Sequence, residues 1–294
     1  MSITKYQIFL KTAACGSFSK AAEAMNFTQS GISHAINSLE GELGVTLLSR
    51  NRGGVVLTAD GRALLPQIEK LCGAHHTMMQ TVESLKGMDS GLVKVATFSS
   101  VSFLWLPRIL KSFGQIYPNI EFEVITGDYY EQIESWIVSG AVDCGFFRLP
   151  STKHLQTYPL YRDELQVVVP CDHVYAQEDP FPASELAEEP FILLEEGEDY
   201  EIMAAFDKLG IRPHVKYTAR EDRTILAMVS EGLGISLLPR LMVSHSPLPV
   251  QVCRAPLQFD RTIGIGVKDE KALSKSTRLF VDYVRTWVAE NGDK

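Results

Sequence analysis

Apolar residues near the start of the chain recur at helical spacing. Tyr6, Phe9, Leu10 and Ala13 form one stripe over about Thr4–Ala14. Phe18, Ala21, Ala22 and Met25 form a second, and Ile32, Ala35, Ile36, Leu39 and Leu43 a third. Asn26-Phe27-Thr28 interrupts the last two, and Thr28 is a good N-cap for the helix that follows. This pattern predicts a three-helix unit containing a helix-turn-helix. From Val45 to Thr58 the period shortens. Leu47-Leu48 and Val55-Val56-Leu57 flank a polar turn, Ser49–Gly54, which predicts a β-hairpin wing.

Thr58 can cap the next helix, predicted to run to about Gly87. Leu64, Ile68, Leu71, His75, Met78, Val82 and Leu85 follow one another at 4-3-4-3-4-3 spacing, a heptad seam broken by one polar member. Such a seam has to be buried. A second copy of the same helix is the natural partner, and the chain's own C-terminal part is the alternative. Pro66 falls in the second turn, where it should kink the helix start rather than end it.

Gly87–Gly91 reads as a linker, and beyond it strands and helices alternate. Strands at Leu92–Phe98, Ile120–Thr126 and Ala141–Phe147 enclose helices at Val101–Ile116 and Tyr129–Ser139. This βαβαβ order predicts a mainly parallel sheet with right-handed crossovers. A second set has strands at Glu164–Pro170, Phe191–Leu194, His214–Thr218 and Ile235–Leu238. Its helices fall at Ala183–Ala187, Tyr200–Leu209 and Arg220–Glu231. Strands near Gln251–Arg254 and Thr262–Val267 precede an amphipathic helix, Ser274–Glu290. The expected organisation is residues 1–58, a winged helix-turn-helix; 59–87, a linker helix; and 91–294, a two-lobed α/β domain. The first lobe would hold 91–161 and 268–294, and the second 162–267. The chain would cross between them near Tyr161–Asp163 and Val267–Asp269. A cleft should open at the carboxyl ends of the strands.

The third stripe leaves Thr28, Gln29, Ser30, Ser33, His34 and Asn37 at the cap and on the opposite face. These groups suit hydrogen bonding to base edges and phosphates in a major groove, although any small bundle has a polar outer face. Arg50 and Arg52 at the wing tip suit phosphate and minor-groove contacts. The formal net charge of −8 runs against nucleic-acid binding until its distribution is considered. Residues 1–90 carry eight Lys/Arg and seven Asp/Glu, whereas the rest of the chain carries twenty and twenty-nine. A near-neutral N-terminal unit makes few phosphate contacts per copy, which calls for an oligomer.

The run FSKAAEAMNFTQSGISHAINSLEGELGVTLLSR, followed by LTADGRALLP, resembles the N-terminal domain of LysR-type transcriptional regulators, and the likeness extends in outline to the whole chain. His34 stands where the family often has Arg, Leu48 replaces a usual Phe, and Ala59-Asp60-Gly61 replaces a more typical Pro-Ala-Gly. The resemblance implies an α/β protein overall, with a winged helix-turn-helix, a long linker helix and an effector domain resembling periplasmic binding proteins. It also implies homotetramers (dimers of dimers) on double-stranded promoter DNA, with RNA polymerase a candidate partner and a small-molecule effector bound between the lobes.

Ser99, Ser100 and Val101 follow the first strand at a helix start, where hydroxyls and free N–H groups suit an anion; plain N-capping is the alternative. The resemblance places effector contacts here. Arg148 directly follows Phe147 at the end of an apolar strand and suits a carboxylate. Asp128, Tyr200 and Thr224 precede or begin helices aimed at the same cleft. The acidic run Glu195–Asp199 could pair with Arg148, hold an amine or be solvated.

A solute-binding module without a regulatory role is the competing reading, disfavoured by the attached helix-turn-helix and by the lack of an export signal. An enzyme is not expected: the chain has no Gly-rich phosphate loop, no G-x-S-x-G and no H-E-x-x-H. Neither metal nor cofactor is expected. Five scattered cysteines without a C-x-x-C pair predict buried reduced thiols. With neither a membrane-spanning apolar run nor a signal peptide in view, the expected location is the cytoplasm.

Overall fold

The computed structural model describes residues 2–51, 53–85, 91–195, 201–244 and 246–292, without the side chains of residues 80, 83–85 and 201. Helix α1 (Ile3–Cys15) stops at Gly16 in the left-handed region. Helix α2 (Phe18–Met25) starts on the Ser17 hydroxyl and ends at Asn26, φ +57°. Asparagine is among the few side chains that tolerate this conformation. Thr28 Oγ1 then accepts from Gly31 N at 3.1 Å and starts α3 (Gln29–Leu43), as the sequence predicts. Strands β1 (Leu48–Asn51) and β2 (Gly54–Leu57) pair antiparallel, Leu48 opposite Leu57. Glu40 Oε1 accepts from the N–H groups of Leu47 and Leu48 and ties the hairpin to α3. A Cβ at Gly54 would lie 2.5 Å from the Gly16 carbonyl oxygen, so only glycine lets the wing close on α1. Phe9, Ile32, Leu39 and Leu47 form the centre of this unit's core.

Helix α4 (Ala59–Leu85) is capped by Thr58, whose Oγ1 accepts from Gly61 N at 2.9 Å. Pro66 lies within it, and the helix continues.

The C-terminal part opens with β3 (Gly91–Thr97), followed by α5 (Ser99–Leu104) and α6 (Leu106–Ile116). The predicted single helix is thus two, divided at Trp105. Pro107, in the first turn of α6, lacks the N–H needed to carry α5 onward. Strand β4 (Ile120–Thr126), helix α7 (Tyr130–Ser139) and β5 (Cys144–Leu149) complete the first βαβαβ set, and β4 and β5 both lie parallel to β3. Strand β6 (Gln156–Pro170) is one continuous element of 15 residues shared by both lobes. Then come α8 (Glu185–Glu188), β7 (Pro190–Leu194), α9 (Glu201–Leu209), β8 (His214–Ala219) and α10 (Asp222–Ser230). The chain finishes with β9 (Ser236–Pro239), α11 (Arg240–Val243), β10 (Val250–Arg254), β11 (Asp260–Val267) and α12 (Lys275–Asn291).

Two sequence expectations change here. The sheet is mixed rather than mainly parallel: β11 runs antiparallel to β5 and β6, and β9 and β10 antiparallel to β6. The second crossing also moves. Ile263, Ile265 and Val267 are fully buried in the first lobe's core with Phe146 and Phe280, whereas Phe259 belongs to the second core. The chain therefore changes lobe around Phe259–Arg261, not near Val267–Asp269, and β11 belongs to the first lobe. A strand paired on both sides has to lie inside its sheet. Among the described residues, no helix is long and apolar enough to cross a membrane.

Candidate nucleic-acid interface and inter-lobe cleft

Helix α3 has two contrasting faces. Ile32, Ile36 and Leu39 are sealed in the core, while Gln29, Ser30, His34 and Asn37 are exposed and Ser33 is half-buried. The Thr28 hydroxyl is engaged as the cap and lies 3.2 Å from Ser30 Oγ. The Arg50 guanidinium lies 4.7 Å from the centre of the Phe18 ring, which orients the wing cation beside α2 and α3. Arg52 lies outside the described residues.

The heptad seam is divided between two environments. Ile68 is buried, and Leu64 packs beside it in the helix-turn-helix core, so these two residues are satisfied within the chain. Leu71 and Met78 are 46% and 54% exposed. His75 and Val82 are half-buried, and the side chain of Leu85 lies outside the described residues. The reason is geometric: the first turns of α4 lie on α1 and β2 and complete the N-terminal core. Farther along, α4 docks on the first lobe. A Cβ at Gly73 would lie 2.5 Å from Ser139 O and 2.7 Å from Gly140 O. His76 Nε2 is 3.2 Å from the Asp143 carboxylate, which also accepts from Lys94 N at 2.7 Å. Neither Gly73 nor His76 belongs to the heptad seam, so the apolar pattern carries no signal for these contacts.

Between the lobes lies a cavity of about 290 Å³. Ser99 and Asp128 line it as expected, together with Phe98, Tyr130, Arg220 and Asp222. Val101 and Phe147 do not reach it, since both are fully buried in the first core. Thr224 is exposed and sits outside the lining, and Arg148 lies within β5 with its guanidinium 5.9 Å from the centre of the Tyr130 ring. Tyr200 and the acidic residues Glu196, Glu198 and Asp199 lie outside the described residues, and Glu195 pairs with Arg220 at 3.4 Å.

Beneath the cleft lies a buried polar network, of which Ser99, Tyr130 and Asp222 reach the cavity lining and Ser100, Asp163 and Arg261 do not. Arg261 Nη2 and Asp163 Oδ2 are 2.9 Å apart and both residues are buried. Arg261 also donates to Tyr130 Oη at 2.8 Å and to Ser100 Oγ at 3.1 Å. Asp163 Oδ1 accepts from Leu241 N at 2.9 Å. From the second lobe, Asp222 Oδ2 accepts from Ser99 Oγ at 3.0 Å and lies 3.5 Å from Ser100 Oγ. Burial pushes the Asp222 carboxyl up, against the opposing pull of Arg261 and of the Ser99 hydroxyl. The available signal was a charged residue at the edge of an apolar strand: Asp163 before Leu165–Val169 and Arg261 before Ile263–Val267.

Among the described residues, no group of three or more His, Cys, Asp or Glu side chains is placed to hold a metal ion. All five cysteines are free. Cys144 and Cys253 are buried, but Cys15 and Cys72 are half-buried and Cys171 is exposed, so the expectation of buried thiols holds for two of them.

Residues 3–62 match the family model for the bacterial regulatory helix-turn-helix protein of the lysR family, and residues 86–289 match that for the LysR substrate binding domain. The chain is 31% identical over 288 residues to the uncharacterized HTH-type transcriptional regulator YvbU of Bacillus subtilis, covering 97% of this chain and 98% of that one. It is 32% identical over 300 residues to the probable HTH-type transcriptional regulator LrrA of Synechococcus elongatus, covering 99% and 98%. Among solved structures, the LysR family regulator CbnR shares the fold at a TM-score of 0.71 and 20% identity, over 97% of this chain and 99% of that one. The effector binding domain of QuiR, solved in complex with shikimate, matches at 0.62 and 20% identity over 69% of this chain and 99% of its own. The chain therefore belongs to the LysR family of transcriptional regulators, joining a DNA-binding helix-turn-helix to an effector-binding domain.

Proposed function

We propose that two copies pair through the exposed part of the α4 seam, and that two such dimers assemble on promoter DNA. Each dimer presents two α3 helices to successive major grooves of a pseudo-palindromic operator. Gln29, Ser30, Ser33, His34 and Asn37 read base edges, with Thr28 at the backbone. Arg50 and Arg52 hold phosphates beside them. The observation that carries this reading is α3 itself, with a polar face open to solvent and an opposite face sealed in the core. The solved complex of CbnR with its target DNA supports it at the level of fold.

The effector is a small organic molecule held in the inter-lobe cavity by Ser99, Asp128 and their neighbours. Its signal reaches DNA because the first lobe grips α4 at Gly73 and His76. The chain acts by binding rather than turnover, in the cytoplasm, with RNA polymerase as its promoter partner.

The test is selection of bound duplexes from a random pool by the full-length protein. Enrichment of one sequence with dyad symmetry is expected. A pool that stays random after repeated rounds, with binding abolished by nonspecific competitor, overturns the reading.

A further inference from the structure

The donors that would receive an anion at the start of α5 are already engaged. Ser99 gives its hydrogen bond to Asp222, and Ser100 lies between Asp222 and Arg261. Arg261 in turn is paired with Asp163. Asp222 comes from the opposite lobe and is 5% exposed, so the cleft holds its own carboxylate where a carboxylate ligand would otherwise bind. An incoming carboxylate would have to compete with Asp222 for the same two hydroxyl donors.

The remaining lining reinforces this polarity. Among the described residues its charged members are Asp128, Glu195, Glu221, Asp222, Arg220 and Arg223. Arg220 is matched by Glu195; the Arg223 guanidinium lies over the Phe103 ring and keeps its charge, so the acids outnumber the cations four to two. Asp128 and Glu221 are exposed at the cavity wall. Phe98, Phe103, Tyr129 and Tyr130 supply an apolar wall for the body of a ligand, with guanidiniums of this chain already over Phe98, Phe103 and Tyr130. The volume, about 290 Å³, fits a metabolite rather than a nucleotide.

We propose that the effector of this protein is a small organic cation, a protonated amine on an apolar body, held by Asp128 and Glu221 while Asp222 excludes carboxylates. The proposal rests on the reading of the cleft as the effector site and names the chemistry of its ligand.

The experiment is thermal melting and calorimetric titration of the full-length protein with three probes of matched body: 2-phenylethylamine, 3-phenylpropionate and 2-phenylethanol. The amine should raise the melting temperature in a saturable way, as ligand binding to the native state requires, and the other two should not. In a D128N/E221Q variant, verified as folded by circular dichroism, amine affinity should fall by about tenfold or more. D222N should gain a response to 3-phenylpropionate that the parent lacks. Stabilisation of the parent by the carboxylate overturns the proposal. So does an amine response unchanged in D128N/E221Q, or silence toward this amine and toward putrescine and agmatine as longer ones. Duplex selection on the same preparation separates the two failures: an enriched operator with no amine response removes the cationic effector and leaves the regulator standing.

Discussion

Arg261 lies directly opposite Asp163, on the two strands that join the lobes, with 2.9 Å between guanidinium and carboxylate and both side chains buried. The pair sits where the two lobes meet. Tyr130 and Ser100 attach it to the first lobe, and Leu241 N attaches it to α11, whose Leu241 packs in the first core and Met242 and Val243 in the second.

Breaking one half of such a pair leaves an uncompensated buried charge, at a cost of about 3–5 kcal/mol. Arg261→Ala should therefore lose about that much stability in urea unfolding. The double variant R261M/D163L should lose less than the sum of the two single changes. Additive losses would mean that the two groups do not act as a unit.

Asp222 should make stability depend on pH. Burial raises its native carboxyl above the unfolded value, so the protonated form is the one folding favours. Its contribution is fully present below the unfolded value of about 4 and is lost as pH climbs through the raised native value. Asp222→Asn should therefore gain in melting temperature relative to the parent as pH rises from about 4 to 7. A difference that stays flat over this range would show that the carboxylate is not held against its solvation.

On α3, Gln29→Ala and Ser33→Ala should each weaken binding to the selected operator by about 1–3 kcal/mol. Both positions lie away from the sealed face, so thermal stability should hold within about 0.5 kcal/mol. Arg50→Ala should weaken binding to all duplexes alike and reduce the salt slope by about 1. Loss confined to one sequence would make the wing a base reader.

Leu71→Asp with Met78→Asp places two charges on the exposed part of the seam. Sedimentation velocity should then show a shift toward monomer while the far-ultraviolet circular dichroism is retained. An oligomer that survives both changes would move the interface elsewhere.

Much of the architecture is legible in the sequence. Caps and breaks are local chemistry: Thr28 and Thr58 accept from N–H groups three residues on, and Asn26 tolerates a left-handed turn, so the helix-turn-helix and the start of α4 follow from short-range rules. The amphipathic period of α3 likewise determined which residues would face outward. What periodicity could not determine was the partner of each apolar or charged position. Leu64 and Leu71 are equivalent in the heptad, yet one packs on α1 and β2 and the other is open, because only the three-dimensional path of α4 decides where the core ends. Asp163, Asp222 and Arg261 are separated along the chain and carry no motif. They come together only because an antiparallel β11 lies between β5 and β6 and Ser99 meets Asp222 across the lobes, a long-range pairing to which local propensity is blind.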